Sequence, residues 1–347
     1  MPQIVFVDRE FAHHGQYSGY KQLVRYVEGS SLYAGRLPSR WVPDSLIYRL
    51  PGLHPRWYNR RSLEIEARLL VTAATTKGLV FHFLYGEHSY RFVGRINRWL
   101  GTRNRIVATF HQPSEFFEVR RARLAHIREL DAAILVNSNQ RSFFDTVLSS
   151  DLVHVVPHGV DVDYFCPPRL RRVRPSIRCL TVGTNYRDFD SYVKVIRNLN
   201  RSHLKNAVEF VIIGEERYAH YFVGLDNVRF ISNISDRDLL AYYQASDFMV
   251  LPLSAITASN ALLEGMACAL PIIITDVPGV RDYVNEQSAI LVSSKNDEEM
   301  TEYVQTLVGD PQRRIELGER ARQHVVANFD WRFIAKRVAN VYAATCT

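Results

Sequence analysis

The sequence predicts an α/β protein made of two doubly wound parallel-sheet domains. Three observations predict it. Short, almost continuously apolar runs recur along the chain, as in strands buried on both faces. Segments with helical spacing separate them, the signature of parallel strands joined by crossover helices. The alternation occurs twice, on either side of CPPRLRRVRPS (166–176), a proline- and arginine-rich stretch with no periodicity.

In the first half the expected strands are QIVFVD (3–8), GLVFHFL (78–84), RIVATF (105–110), AAILVN (132–137) and VHVVP (153–157). SLEIEARLLVTAATTK (62–77) reads as a helix between the first two. After the break come strands at 177–183, 208–214, 227–232, 248–252, 271–275 and 289–293. Helices are expected at 190–200, 236–245, 258–269, 297–307 and 311–328. The domains are thus a Rossmann-like unit over 1–165, a linker at 166–176, a second Rossmann-like unit over 177–328 and a terminal helix over 329–347. Ligands of doubly wound sheets sit beyond the carboxyl ends of the strands, so a cleft between two such domains is the expected site.

Bulk properties narrow the class. At 347 residues, 47% of them hydrophobic, the chain has material for two cores. Its four cysteines, Cys166, Cys179, Cys268 and Cys346, show no CxxC spacing, which suits reduced thiols in the cytoplasm better than a disulfide framework or zinc site. MPQIVFVDREF reads as a strand rather than a signal peptide, and no apolar run reaches spanning length. The net charge of +7 comes from arginines gathered at 56–61, 91–105, 120–128 and 169–178. Such a balance suits phosphorylated substrates or an anionic membrane, or is simply a solvated basic surface. No RNP, helix-turn-helix or zinc-finger spacing points to nucleic acid.

The stretch ITASNALLEGMACALPIIITDVPG (256–279) carries the chemistry. Thr257–Asn260 lead into a helix whose free N–H groups and positive dipole end suit a phosphate. Glu264 follows about one turn later, where a carboxylate accepts two hydrogen bonds from a diol such as ribose. Position alone leaves a surface acid equally open, but the small apolar neighbours favour a function.

Four segments in order carry a family resemblance: VHVVPHGVDVDYF (153–165), NVRFISNISDRDLLAYYQASDFMVLP (227–252), ASNALLEGMACALPIIITDVPGVRDYV (258–284) and FDWRFIAKRVANVY (329–342). Together they resemble the family-four (group 1) retaining glycosyltransferases of GT-B fold, closely from about residue 130 onward and loosely before it. The resemblance implies a nucleotide-sugar donor on the second domain, an acceptor on the first and a terminal helix crossing back to the first. It implies a hexosyltransferase-type activity with retention, needing no metal and no cofactor beyond the nucleotide-sugar co-substrate. Glu264 matches the second Glu of the family's E-x7-E pair, the ribose ligand. The first Glu is Ile256 here, and Ala258-Ser259 replace the usual Phe-Gly. In TVGTNYRDFDSYVKV (181–195) the family's Gly-Arg and Lys-Gly are missing, which leaves Arg187 as the nearest cation for a diphosphate and Lys194 as a poorer one. Arg187 pairing with Asp188 or Asp190 is the structural alternative.

In the first domain, Gly15 of DREFAHHGQYSGY (8–20) resembles the family's loop over the donor phosphate. His111, at the end of RIVATF, resembles the histidine near the transferred sugar; a packing histidine is the alternative. His82, Tyr85, Glu87 and His88 end another strand, read as acceptor contacts for the last three and either contact or core for His82. The donor set is therefore Gly15, Arg187, Asn233, Ala258, Ser259, Asn260 and Glu264, with Asn233 toward the base. The acceptor, through a hydroxyl, is a glycan, a lipid-linked sugar or a small molecule. Ile256 and the altered loop keep open a non-catalytic nucleotide-sugar binder; a nucleotide-sugar 2-epimerase shares the fold, with Ile256 against it. Finally, RFVGRINRWLGTRNR (91–105) suggests a helix with Phe92, Ile96, Trp99 and Leu100 on one side and arginines beside them. It is either a peripheral contact with the inner face of an anionic membrane or an ordinary covering helix whose stripe is core, the latter slightly favoured.

Overall fold

A computed structural model describes residues 2–8, 15–33, 58–121, 124–170, 176–205 and 207–346. The start of the 8–20 motif (residues 9–14) and the centre of the expected linker (171–175) lie outside the described residues.

The chain divides into two compact units. One comprises Met1–His14, Gly19–His158 and Trp331–Thr347; the other Gly15–Ser18 and Gly159–Asp330. The first contains one parallel sheet, in the order β2-β1-β3-β4-β5-β6. Its strands are β1 (Gln3–Asp8), β2 (Ser30–Tyr33), β3 (Leu79–Phe83), β4 (Arg105–Phe110), β5 (Ala132–Leu135) and β6 (Val153–Val155). The apolar runs form these strands because both faces are covered: every residue of β3 is buried. Strand β2 leaves no mark in the sequence, for a physical reason. Among the described residues, strand SSLY lies at the sheet edge, paired with β1 only, and it carries no apolar run to mark it. The helix expected at 62–77 spans Arg60–Thr75, started by Asn59, whose side chain accepts the Arg61 N–H while Ser62 answers the Asn59 N–H.

The terminal helix Trp331–Cys346 belongs to this unit. The Tyr342 hydroxyl meets His82 Nδ1 at 2.6 Å, and His82 Nε2 meets Thr109 Oγ1 at 2.7 Å. His82 is therefore a core residue, fully buried and held neutral, its pKa pushed down to about 3 by burial.

The second unit also holds one parallel sheet, ordered β12-β11-β10-β7-β8-β9. The strands are β7 (Ile177–Val182), β8 (Val208–Ile213), β9 (Val228–Ile231), β10 (Phe248–Leu251), β11 (Ile272–Asp276) and β12 (Ile290–Ser293). Chain order runs outward in both directions from the neighbouring pair β7 and β10, so the loops after these two strands flank the topological switch point. Residues 159–170 already pack on this unit: Arg322 donates to the Val162 and Phe165 carbonyls, and Gln244 to that of Cys166.

Candidate functional site

At the switch point of the second sheet, the loops after β7 and β10 pair with each other. Arg187 and Leu253 form an antiparallel bridge, the Asp188 N–H donates to the Pro252 carbonyl at 2.8 Å, and the Ser254 N–H to that of Tyr186 at 2.9 Å. The chain then enters the helix Asn260–Ala267, buried along most of its length. Ser259 is its N-cap, accepting the Leu262 N–H at 3.3 Å. Ala258 and Ser259, expected inside the helix, precede it, and Asn260 opens it; Ala258 and Asn260 are half-buried.

Glu264 is 3% exposed, which removes the surface-acid reading. Its Oε1 accepts the Ser18 hydroxyl at 2.6 Å and its Oε2 the Tyr243 hydroxyl at 2.8 Å. Burial raises its pKa to about 7, against the opposing pull of those two bonds. The segment bearing Ser18 is held closely. Asp236 accepts the Gln16 N–H at 2.5 Å and the Tyr17 N–H at 3.4 Å. The Tyr17 ring stacks on Tyr164, centroids 3.6 Å apart. A Cβ at Gly15 would displace the Asp236 carboxylate from the Gln16 and Tyr17 N–H groups. Ser18, Tyr243 and Asp236 are the residues that sequence reasoning missed.

Arg187 donates to two backbone carbonyls, from Nη2 to Val182 at 2.7 Å and from Nη1 to Asn185 at 3.1 Å. Its Nε is buried without a partner. The expected alternative, pairing with Asp188 or Asp190, does not occur: Asp188 instead caps the helix Phe189–Asn200 through Ser191. No carboxylate pairs with Arg187 among the described residues. Burial lowers its pKa to about 10, and it remains a cation at neutral pH. Ile256 is buried in the apolar core of this unit. Asn233 lies in left-handed backbone (φ 54°), exposed in the turn after β9.

The first unit gathers a second group at the carboxyl ends of β3 and β4. The His111 ring lies 4.7 Å from that of Tyr85 and 4.9 Å from that of Tyr20, and its Nε2 meets the Leu84 carbonyl at 2.9 Å. Tyr85 is buried, its hydroxyl accepting the Tyr20 N–H at 3.2 Å. Glu87 Oε1 accepts the His111 N–H at 3.1 Å, whereas Oε2 is buried with no partner. Burial pushes the Glu87 carboxyl up to about 8. His88 is half-buried on the same short helix, Gly86–Ser89. No group of three or more His, Cys, Asp or Glu side chains among the described residues is placed to hold a metal ion.

Residues 176–310 match the family described as glycosyl transferases group 1. The match lies within the second unit. The chain is 24% identical over 212 residues to the GDP-mannose-dependent monoacylated alpha-(1-6)-phosphatidylinositol monomannoside mannosyltransferase of Corynebacterium glutamicum, covering 54% of this chain and 55% of that one. It spans about half the length of the curated relatives it matches. Among solved structures it resembles sucrose-phosphate synthase from Thermosynechococcus elongatus, with a TM-score of 0.73 at 17% identity, over 99% of this chain and 98% of that one. Anabaena HepE, solved in complex with UDP-glucose, aligns with a TM-score of 0.72 at 14% identity, over 99% and 100% of the two chains. The two-sheet architecture is that of the GT-B glycosyltransferases.

Proposed function

We propose that this protein transfers a glycosyl group from a nucleoside-diphosphate sugar to a hydroxyl acceptor, with retention at the anomeric carbon. The observation that carries the reading is Glu264: in the family-matched domain, a buried carboxylate already serves two hydroxyl donors. A ribose diol offers the same two donors, each charge-assisted bond being worth about 1.5–3 kcal/mol before competition. The half-buried cation Arg187 and the N–H groups at Ala258, Ser259 and Asn260 suit the diphosphate, with Gly15 closing over it and Asn233 toward the base. In the transfer, the bond from the anomeric carbon to the donor phosphate breaks. The acceptor oxygen bonds on the same face, and its proton passes to the departing phosphate. The protein supplies position and charge. His111 would face the sugar, and Tyr85, Glu87 and His88 the acceptor. No metal is required for this step. Relatives named for phosphatidylinositol acceptors make a lipid-linked polyol the first acceptor to try.

One observation favours a second reading, a non-catalytic nucleotide-sugar binder: the apolar Ile256 sits where the family pattern has a carboxylate for the transferred sugar. Calorimetry and thermal shift with UDP, GDP, ADP, CDP and dTDP sugars, with and without EDTA, test both. One donor should stabilise the protein, by about 2.7 kcal/mol at a hundredfold excess over Kd. In Arg187→Ala the nucleoside diphosphate should lose about tenfold in affinity while the parent nucleoside is unchanged. Binding without transfer to any polyol or glycolipid acceptor would select the binder; no binding at all would sink both.

A further inference from the structure

We propose that the first unit docks on an anionic lipid surface through the face of the helix Val93–Leu100 that carries Trp99. This proposal does not depend on the transfer reading. The helix buries a side rotated away from its apolar stripe, so that the C-terminal end of the stripe faces out. Val93, Gly94 and Asn97 are buried, Phe92 and Ile96 half-buried, and Trp99 and Leu100 point outward, Trp99 at 84% exposure. The expectation that this stripe is domain core is thus overturned at its C-terminal end. The cause is polar: the Asn97 amide donates to the Asn104 carbonyl at 2.7 Å and its oxygen accepts the Thr102 hydroxyl, so asparagine takes the inner position.

The outward tryptophan is held firmly. Glu66, buried in the neighbouring helix Arg60–Thr75, accepts the N–H groups of Arg91, Phe92 and Val93 at 2.8, 2.7 and 2.9 Å, and the Tyr58 hydroxyl as well. The far end closes on Gly101 in left-handed backbone. A large aromatic braced in water on a rigid helix marks an interaction surface rather than a mobile loop.

Charge identifies the occupant. Residues 89–105 hold five arginines and no acid. Arg91 turns inward to His126. Arg95, Arg98, Arg103 and Arg105 are exposed, against two acids, Glu129 paired with Arg98 and Asp131 with Arg105. Exposed pairs of this kind hold their partners weakly. Indole beside guanidinium fits the headgroup layer, where the ring sits at the interface and each cation gains about fivefold in partition near an anionic leaflet. No helix among the described residues is long and apolar enough to cross a membrane, so the contact is peripheral.

Co-sedimentation of the whole protein with vesicles tests this. One set is phosphatidylcholine alone; the other is phosphatidylcholine and phosphatidylglycerol in equal parts. Binding should appear only with the anionic vesicles and weaken with salt. Trp99→Ala with Leu100→Ala, and separately Arg95→Glu with Arg103→Glu, should each lower the partition about tenfold or more, at unchanged melting temperature. Arg313→Glu with Arg320→Glu, in the second unit, should change nothing. Equal binding to neutral vesicles, no binding to anionic ones, or full binding by the Trp99 variant would overturn the proposal. So would equal binding to a DNA duplex that the Trp99 variant leaves intact, since that reassigns the arginines to a phosphate polymer.

Discussion

Glu264, buried in the second unit, and Glu87, half-buried in the first, both lie near the carboxyl end of a parallel sheet, and they are equipped differently. Glu264 has both oxygens occupied, by the hydroxyls of Ser18 and Tyr243. Glu87 has one oxygen on the backbone N–H of His111 and the other on nothing. Burial raises both, to about 7 and about 8. Side-chain hydroxyls can rotate away, and another molecule's hydroxyl can take their place without leaving the carboxylate bare. A backbone N–H cannot be exchanged in that way, and an unmatched buried oxygen costs about 1–3 kcal/mol unless it gains a proton or a donor. Glu264 is thus an acceptor with replaceable partners, and Glu87 a carboxyl that favours its neutral form.

Removing the replaceable acceptor should have the largest effect. Glu264→Ala is expected to lower nucleotide affinity by tenfold or more. Because the side chain is buried and leaves the Tyr243 hydroxyl unmatched, melting should also drop by a few degrees, unlike a surface acid. The pH dependence follows from the raised pKa. The charged form is the strong acceptor, so affinity should fall as pH drops through about 7, and the Gln variant should show no such step. Calorimetry from pH 6 to 8 reads both effects. Undiminished affinity in the Ala variant would erase the distinction between the two carboxyls.

The strands were legible because burial on both faces writes itself into the sequence as apolar runs: β1 and β4 span 3–8 and 105–110, as the runs do. The edge strand β2, half polar, leaves no such trace. Glu264 was legible through its small apolar flanks. Its partners were not, because they are separated from it by 246 and 21 residues, and nothing in LLAYYQAS distinguishes the buried Tyr243 from the half-buried Tyr242. The helix Val93–Leu100 misleads for a related reason. Periodicity assigns the apolar stripe inward, but the hydrogen bonds of Asn97 are decided by the loop at Thr102 and Asn104.

Glu87→Gln probes the other side of the comparison and should have an intermediate effect. A folded-state pKa raised to about 8 means that this carboxyl's contribution is fully present below its unfolded pKa, near 4.3, and is lost as pH rises through 8. The neutral Gln variant should therefore show a flatter decline of melting temperature between pH 5 and 8 than the parent, with nucleotide affinity unchanged. If the two pH profiles coincide, Glu87 is ionised in the fold and its free oxygen has found a donor.

The smallest effect should come from Ser18→Ala, and its sign is informative. If Ser18 occupies the place of a ligand hydroxyl on Glu264, removing it relieves a competitor. Affinity should then rise by roughly two- to tenfold, the range of one net hydrogen bond. The same bond holds the Glu264 pKa down, so its loss should move the pH midpoint of binding upward. A ligand that binds beside Ser18, using it to orient the carboxylate, gives the opposite: weaker binding, again with an upward shift in midpoint. Titrating one nucleoside diphosphate into parent and variant across pH separates the cases, because only displacement couples tighter binding to a higher midpoint. Weaker binding by the variant would make Ser18 a fixed support of Glu264, and would remove exchangeability as the difference between the two carboxyls.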